Sequence, residues 1–369
     1  MRYLKPFITI LLINLIANSL IAQSNQTWYS YYDAHKELIG YKDAQGHIKI
    51  SARFTQFTQA KVFKSIIAVT EQDNQHAYYL LKNGKHVGKD SLYVWDFTYD
   101  CEQEGKIRFR DPKTDKVGFF GTNGKVVVPA NYNDARPFYN NIAVVLYKGK
   151  RKCMDGSQFD PKHPCEHWYW DGITGLIDDK GNLIADHIDF DKLNTINWYS
   201  LKKSNVPADT NLYVSIKAND GSYYTFVDYE KEFKTWFYDR YLKDQSANNL
   251  FNIICVEGLW KNEIRKFVDK KNFSKNYDKA LSRKLQNIMS GKVETQIMSE
   301  SLNNFIYTQS QFKPYYTDSG EGNAARYPLF NVVTTNHSGK NGNSYQETLS
   351  FLRTANGYKL IAVTWKNLL

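Results

Sequence analysis

The sequence predicts a mainly β N-terminal array of repeats, each an antiparallel unit of about 40 residues, followed by an α+β C-terminal domain. Three observations support this fold class. A glycine in a polar turn recurs at a nearly constant spacing through residues 46–221, and the apolar pattern then changes to a helical period. Tyrosine is also abundant, with 27 residues among 369, and its ring favours half-exposed pleated sheets.

Residues 1–22, MRYLKPFITILLINLIANSLIA, have the pattern of a secretory signal peptide. Two basic residues precede an apolar run of about 15 residues, and the small residue Ala22 stands at the expected cleavage site. The alternative is an uncleaved membrane anchor, but the run is shorter than the roughly 20 residues that span a bilayer. We therefore expect a periplasmic or secreted protein with no transmembrane segment after cleavage. Because the first cysteine is Cys101, we expect no lipid attachment at the cleavage site.

Five turn glycines define the repeat: Gly46, Gly84, Gly124, Gly181 and Gly221. They are 38, 40, 57 and 40 residues apart, and the long step contains an insertion over residues 150–171. The segments LKNGK, GTNGK and DDKGN predict two-residue turns between strands. A unit of three or four strands cannot bury its apolar face alone, so we expect the units to stack.

Two of these units carry a recognisable pattern. GYKDAQGHIKISARF begins at Gly40, and GFFGTNGKVVVPANYNDARPF begins at Gly118. Both resemble bacterial WG repeats, and a shorter copy begins at Gly175. The tryptophan that precedes the glycine in that family is replaced here by Ile39, Val117 and Thr174. The resemblance covers residues 30–228 of a predicted domain over residues 23–229. It implies a binding or scaffolding module without shared catalytic residues.

The remaining residues, 230–369, predict the α+β domain. A first helix is indicated by four aromatic residues at helical spacing, Phe233, Trp236, Phe237 and Tyr241. A second amphipathic helix is predicted over residues 250–267 and a third over residues 277–288. The runs ETLSFLRT and YKLIAVTW flank an Asn-Gly turn and predict a closing hairpin.

Two stretches of this domain, WFYDRYL and FLRTANGYKLIAV, resemble the nuclear-transport-factor-like fold, a cone-shaped α+β architecture. In that fold a curved sheet wraps a pocket, which binds ligands, catalyses reactions or mediates dimerisation in different members. The resemblance therefore implies a pocket in residues 230–369, and the fold alone does not choose its role.

The positive charge of the chain is concentrated in one region. Residues 261–292 hold ten basic and three acidic side chains, which the predicted second and third helices would carry. The candidate binding residues there are Lys266, Lys270, Lys271, Arg283 and Lys284. Such a face attracts anionic surfaces. The simpler interpretation is a solvated helix face. Aromatic residues are not interleaved with the lysines, so we expect no nucleic-acid partner.

The insertion, CMDGSQFDPKHPCEHWYWDG, suggests two kinds of site. Cys153 and Cys165 are expected to form a disulfide, because an exported chain meets oxidising conditions. Zinc binding with the nearby histidines is disfavoured, since paired CxxC spacing is missing, and we expect no metal. Cys101 and Cys255 lie within apolar patterns and are expected to be buried thiols. The candidate contact residues that follow are Trp168, Tyr169 and Trp170. Packing against the repeats is the alternative we favour for them.

The sequence contains no catalytic signature, so we predict no catalytic residue and no cofactor. We expect an exported, non-enzymatic binding or scaffold protein of the bacterial cell envelope, whose β-repeat surface contacts a protein or glycan partner. In the alternative hypothesis the C-terminal cone is a small-ligand-binding or catalytic pocket, and the repeats are its docking platform. A pocket lined by convergent titratable side chains would favour this alternative.

Overall fold

The computed structural model describes residues 27–73, 75–244, 249–258, 265–338 and 343–366. The predicted signal peptide, residues 1–22, lies outside the described residues. The chain divides into two compact units, one extending to Ile188 and the other beginning at Asp189. The proposed domain boundary between residues 229 and 230 falls within the second unit and stays a prediction.

The described part of the first unit contains four antiparallel meanders, each with a turn glycine between its second and third strands. We number them repeats 1 to 4: β1 (Trp28–Tyr32), β2 (Ile39–Lys42) and β3 (Ile48–Phe54); β5 (Ile66–Thr70), β6 (Ala77–Leu81) and β7 (His86–Val87); β10 (Lys106–Asp111), β11 (Lys116–Gly121) and β12 (Val126–Tyr132); β14 (Ala143–Cys153), β15 (Trp168–Ile177) and β16 (Leu183–Ala185). Short strands accompany them: β4 (Val62–Phe63), β8 (Val94–Trp95), β9 (Thr98–Tyr99) and β13 (Asp134–Ala135).

Apolar layers hold neighbouring repeats together, and repeat 2 contributes to two of them. Ile67 and Val69 of β5 lie in the layer shared with repeat 1, whereas Ile66 and Ala68 lie in the layer shared with repeat 3. Successive side chains of a strand point to opposite faces, so a strand covered on both faces is apolar throughout. A third layer joins repeats 3 and 4. The predicted stack of β repeats is confirmed.

In repeats 1, 3 and 4 a glycine precedes the turn glycine by six residues, and close packing requires it, whereas repeat 2 has Tyr78 at this position. A Cβ atom added at Gly118 would lie 2.6 Å from the carbonyl oxygen of Val128 and 2.9 Å from the ring of Phe109. At Gly40 the corresponding distances, to the carbonyl oxygen of Ile50 and the ring of Tyr31, are 2.6 and 2.7 Å. An aromatic ring from the first strand therefore lies over the glycine of the second, where no side chain fits.

The turns themselves are one residue longer than predicted. The N–H of Gly46 donates to the carbonyl of Asp43, but the N–H of Asp43 pairs with the carbonyl of His47. This is a type I turn followed by a glycine in the left-handed region, where Gly46 has φ +91°. The same two hydrogen bonds recur at all five turn glycines. The predicted two-residue turn is therefore wrong. A glycine after a polar residue suits both turn types, so the sequence does not distinguish them.

The second unit begins with a small sheet that breaks the repeat pattern. Its strands are β17 (Lys202–Ser204), β18 (Tyr213–Lys217) and β19 (Tyr223–Val227). Gly221 lies in the turn between β18 and β19, but β17 pairs with β19, so the strand order differs from that of the meanders. Short 3-10 turns precede β17 at Phe190–Leu193 and Trp198–Ser200.

The α+β part of this unit packs two helices on a six-stranded sheet. Helix α1 (Tyr229–Trp236) continues into a π-helical turn (Phe237–Tyr241), and α2 (Lys270–Met289) follows later. The strands are β20 (Leu250–Gly258), β21 (Arg265–Asp269), β22 (Glu294–Glu300), β23 (Leu329–Ser338), β24 (Asn343–Thr354) and β25 (Gly357–Trp365). Their order is β21-β20-β25-β24-β23-β22, with β20 parallel to β25. A 3-10 turn spans Ser310–Tyr315.

The predicted helix over residues 250–267 is wrong, because the described parts of that segment form the antiparallel strands β20 and β21. Its apolar residues fit a helical period, but IICV, residues 253–256, is also a continuous apolar run that suits a sheet strand. The first and third helices and the closing hairpin are confirmed. The five candidate basic residues therefore lie on one strand, β21, and one helix, α2. Among the described residues, neither helix is long and apolar enough to cross a membrane.

Aromatic side chains fill the space between the helices and the sheet. Phe233 of α1 stacks on Phe330 of β23 at a centroid distance of 4.4 Å and contacts the ring of Tyr358 at 5.0 Å. From the other helix, Tyr277 lies 5.9 Å from Trp365. All these rings belong to one buried core. The helix-covered face of the sheet is thus packed with side chains.

Candidate functional site

The insertion in repeat 4 forms an extension of the β14–β15 hairpin. Arg151 pairs with Trp170 and Cys153 with Trp168 in the extended ladder. Cys153 is bonded to Cys165, with 6.0 Å between their Cα atoms, and the disulfide closes the loop at the hairpin end. The predicted disulfide is confirmed. Cys101 is half-buried and Cys255 is buried, and burial raises the pKa of the Cys255 thiol to about 11.

Arg151 organises the aromatic residues of this hairpin. Its guanidinium carbon lies 4.4 Å from the ring centre of Trp168 and 5.1 Å from that of Trp170. Its Nη2 donates to Oδ2 of Asp115 at 2.5 Å. Cation–π contacts with an ion-paired arginine hold both rings in place. Trp168 and Tyr169 remain about two-fifths exposed, so packing and surface contact are compatible at these positions.

A second aromatic site lies at the β8–β9 hairpin, which sequence reasoning missed. Trp95 is 66% exposed and Phe97 is 81% exposed. Asp96 and Phe97 form the two-residue turn and both have positive φ, at 46° and 59°. Such turns favour asparagine and glycine, and a bulky residue in this region is a backbone outlier. We call Trp95 and Phe97 the aromatic tip.

The base of this hairpin is attached to the repeats. The hydroxyl of Tyr99 lies 2.6 Å from Oγ1 of Thr70, and its ring lies 6.0 Å from that of Phe57. Phe57 is itself exposed. The attachment gives the aromatic tip a fixed position on the array. In the segment VWDFTY, the aspartate between apolar residues is a sequence signal for the turn. The sequence does not show that the aromatic side chains on either side of it are exposed.

Repeat 2 contains a polar cleft of about 410 Å³. Its lining includes Glu71, His76, Tyr78, His86 and Lys89. The ring of His86 stacks on that of Tyr78 at 3.9 Å, and the Tyr78 hydroxyl donates to Glu71. Burial, together with this carboxylate, raises the pKa of Tyr78 well above its usual value, so the hydroxyl stays protonated. These groups suit hydrogen bonding to a small polar molecule.

The predicted basic residues separate into two groups. Lys266 is exposed on β21, and Lys271 and Arg283 are exposed on α2. Lys270, the first residue of α2, is partly buried. Lys284 lies beside the core instead, where it forms an ion pair with the buried carboxylate of Glu347. Its ammonium group is also 5.6 Å from the ring of Trp365. Lys284 therefore belongs to the packing of α2 rather than to the exposed basic face.

Comparison with known proteins relates part of the chain to a family of repeats. The family model described as "WG containing repeat" matches residues 118–150, which contain β11, β12, β13 and the first part of β14. No curated protein matches the chain. No solved structure matches it. Residues 118–150 therefore form a WG-containing repeat, and the strand order of its meander recurs in the other three repeats.

Proposed function

We propose that this protein is an exported, non-enzymatic binding or scaffold protein of the cell envelope, whose β-repeat surface contacts a protein or a glycan. The observation that carries the proposal is the aromatic tip. Among the described residues of the first unit, Trp95 and Phe97 are the two most exposed aromatic side chains, and the turn holds Phe97 at a positive φ of 59°.

An exposed aromatic residue at a strained turn position stabilises nothing in the folded chain. Backbone outliers of this kind cluster at functional sites, where a partner supplies the compensating contact. Tryptophan is among the residues enriched at the centres of protein interfaces. A flat aromatic ring can also cover the apolar face of a sugar ring, which suits a glycan partner. The stacked repeats hold the aromatic tip rigidly, which lowers the ordering cost of binding.

Export has two supports. The residues before Gln23 have the composition of a signal peptide. The Cys153–Cys165 disulfide persists in oxidising compartments and is rare in the cytosol. Cell fractionation with an antibody against the repeats tests this part of the proposal, and recovery of the protein with the cytosol would contradict it.

For residues 230–369 we propose the nuclear-transport-factor-like fold. The support is an initial helix, followed by a six-stranded sheet in which the last strand pairs in parallel with the first. A catalytic or ligand-binding cone is less well supported, because Phe233, Phe330 and Phe351 occupy the helix-covered face of the sheet. Scaffolding by the repeats remains the function that the geometry favours.

The test compares the retention of envelope proteins and of soluble envelope glycans on the immobilised chain. The variant Trp95→Ser with Phe97→Gly removes the aromatic tip and leaves the apolar layers intact. The matched control, Val126→Ser with Val127→Ser, removes two exposed apolar side chains elsewhere on the repeats. We expect one component to be retained by the unaltered chain and the control but lost from the tip variant. Equal retention by all three proteins, or no retention by any, would contradict the proposal.

A further inference from the structure

The solvent-facing side of α2 carries four cationic side chains in one row. We call these four exposed residues the basic row: Lys271, Lys275, Lys279 and Arg283. Residues four apart on a helix are neighbours, with about 6 Å between their Cβ atoms. At a rise of 1.5 Å per residue, the basic row is about 18 Å long. The opposite side of α2 is buried in the core.

One carboxylate lies beside this row, the exposed Asp278, three residues after Lys275, so four cations face a single acidic neighbour on the helix. Within the described residues, the ion pairs of the second unit include none of its four members. Like charges four residues apart destabilise a helix. The N-cap Asp269, whose carboxylate accepts from the N–H of Asn272, supplies the negative charge that a helix N-terminus favours, but the first turn itself has two lysines and no acidic residue. The row therefore opposes helix formation, and a bound anion would relieve that repulsion.

We propose that the basic row binds a linear acidic polysaccharide, with its carboxylate, sulfate or phosphate groups along the helix. The row winds gradually around the helix, by about 40° for each step of four residues, and presents repeated positive charge to an extended polyanion. Polar side chains flank the row, with Asn276 and Gln286 exposed beside it. Amides at these positions can donate to or accept from sugar hydroxyls. This site is on the second unit and does not depend on the aromatic tip.

Two other polyanions fit the same helix less well. Helices that bind membranes place an apolar face in the acyl boundary, but the apolar side chains of α2, among them Phe273, Leu281 and Leu285, are buried in the core. Single-stranded nucleic acid is bound with aromatic stacking, and the row contains no aromatic residue. Both remain as comparison ligands in the test.

The test measures the affinity of the full chain for a heparin octasaccharide by calorimetry at several salt concentrations. The variant Lys275→Gln with Lys279→Gln removes the middle of the row while keeping two good helix formers. The matched control, Lys202→Gln with Lys217→Gln, removes the same charge from exposed strand positions of the same unit. Circular dichroism first establishes that both variants are folded. Anionic vesicles, single-stranded DNA and neutral dextran are measured alongside.

We expect the row variant to bind heparin at least about tenfold more weakly, as two lost cationic contacts imply. The slope of log affinity against log salt should fall in magnitude by about 1.5, because two fewer counterions are exchanged. The control should stay within about twofold of the unaltered chain, a spread that corresponds to less than one contact. Equal weakening in the control, no heparin binding at low salt, or tighter binding to vesicles or DNA would each overturn the proposal.

Discussion

The turn glycines are alike in backbone conformation but differ in their surroundings. Gly46 and Gly124 have φ of +91° and +71°, values that other residues rarely adopt. A Cβ atom at Gly46 would meet no atom within 4 Å. At Gly124 it would lie 2.9 Å from Leu81 and 3.0 Å from Val87, both in the preceding repeat. One glycine serves only its turn, whereas the other also allows two repeats to approach.

This difference gives a first prediction. Gly46→Ala should lower the free energy of unfolding by about 1 kcal/mol, the cost of a left-handed backbone for an alanine. Gly124→Ala carries the same cost and a further ~1–3 kcal/mol for overpacking the contact between repeats. Urea denaturation of the two variants provides the measurement. Equal losses would show that repeats 2 and 3 do not pack through this turn.

Phe97 gives a second prediction of opposite sign. Because its φ is 59°, Phe97→Gly should relieve backbone strain and raise the free energy of unfolding by about 0.5–1 kcal/mol. The exposed ring makes this possible, since its removal leaves no cavity. Thermal unfolding should show a higher midpoint for the variant, and a lower midpoint would mean that the ring stabilises the fold. Trp95→Gly is the control, as its position is not in the left-handed region.

The buried carboxylate of Asp43 predicts a dependence on pH. Burial by itself raises the pKa of Asp43. The hydrogen bond from the N–H of His47 and the ion pair with the ammonium of Lys49 lower it by more, so the pKa lies well below the usual range. A depressed folded pKa stabilises the protein above about pH 4, and this contribution is lost as the pH falls further. Asp43→Asn should therefore destabilise the protein at pH 7 and by less at pH 3.

Denaturation of Asp43→Asn across pH 3–7 measures this effect. The exposed Asp90 provides a control, since Asp90→Asn should shift stability little at either end of the range. A destabilisation by Asp43→Asn that is the same at pH 3 and pH 7 would show that hydrogen bonding, and not the charge, fixes the turn.

At the scale of single elements, segments with one strong signal were predictable and ambiguous ones were not. The helix predicted at residues 277–288 is real, because one apolar stripe there is separated from a charged face. The apolar residues within 250–267 fit both a helical period and a strand pattern. Pairing of β20 with β25 stabilises the strand in the folded protein. The turn type was missed because the closing hydrogen bond is set by strand register, which the turn residues leave open.

The charges on α2 give an element-scale prediction. Lys275 has like-charged neighbours at Lys271 and Lys279 and an opposite charge at Asp278, so Lys275→Gln removes two repulsive pairs and one attractive pair of about 0.2–0.5 kcal/mol each. The free energy of unfolding should therefore rise by about 0.2–0.5 kcal/mol at low salt, and the gain should shrink above about 0.5 M salt. Lys202→Gln is the control. A destabilised Lys275→Gln variant would mean that the basic row is paired within the fold.

At the scale of the whole molecule, the sequence reveals periodicity better than it reveals surfaces. The repeat period is visible because every repeat has a glycine at its turn, and repeats 1, 3 and 4 also need a glycine where two strands approach, as at Gly40 and Gly118. The aromatic tip was missed because the exposure of Trp95 depends on tertiary neighbours. The place of Gly221 in the repeat series was also misleading, because spacing cannot show that β17 pairs with β19.

The start of the α+β fold is fixed by residues that precede position 230. The Asp228 side chain accepts from the N–H groups of Glu230 and Lys231 and so caps α1. Tyr229 is buried, and its hydroxyl donates to the carbonyl of Arg326. The backbone N–H of Tyr229 in turn donates to Thr195, in the segment before the small sheet. The α+β fold therefore depends on both the cap and that earlier segment.

Three fragments test this dependence: 189–369, 228–369 and 230–369. Loss of the cap costs about 1 kcal/mol, and loss of a buried aromatic side chain about 3 kcal/mol more. We therefore expect the free energy of unfolding to fall in that order, with a step of about 4 kcal/mol between the last two. Urea denaturation followed by tryptophan fluorescence measures it, because Trp236 and Trp365 lie in or against the core of all three. Equal stability would place the boundary at residue 230, and a large step only between the first two would assign the stabilisation to the small sheet.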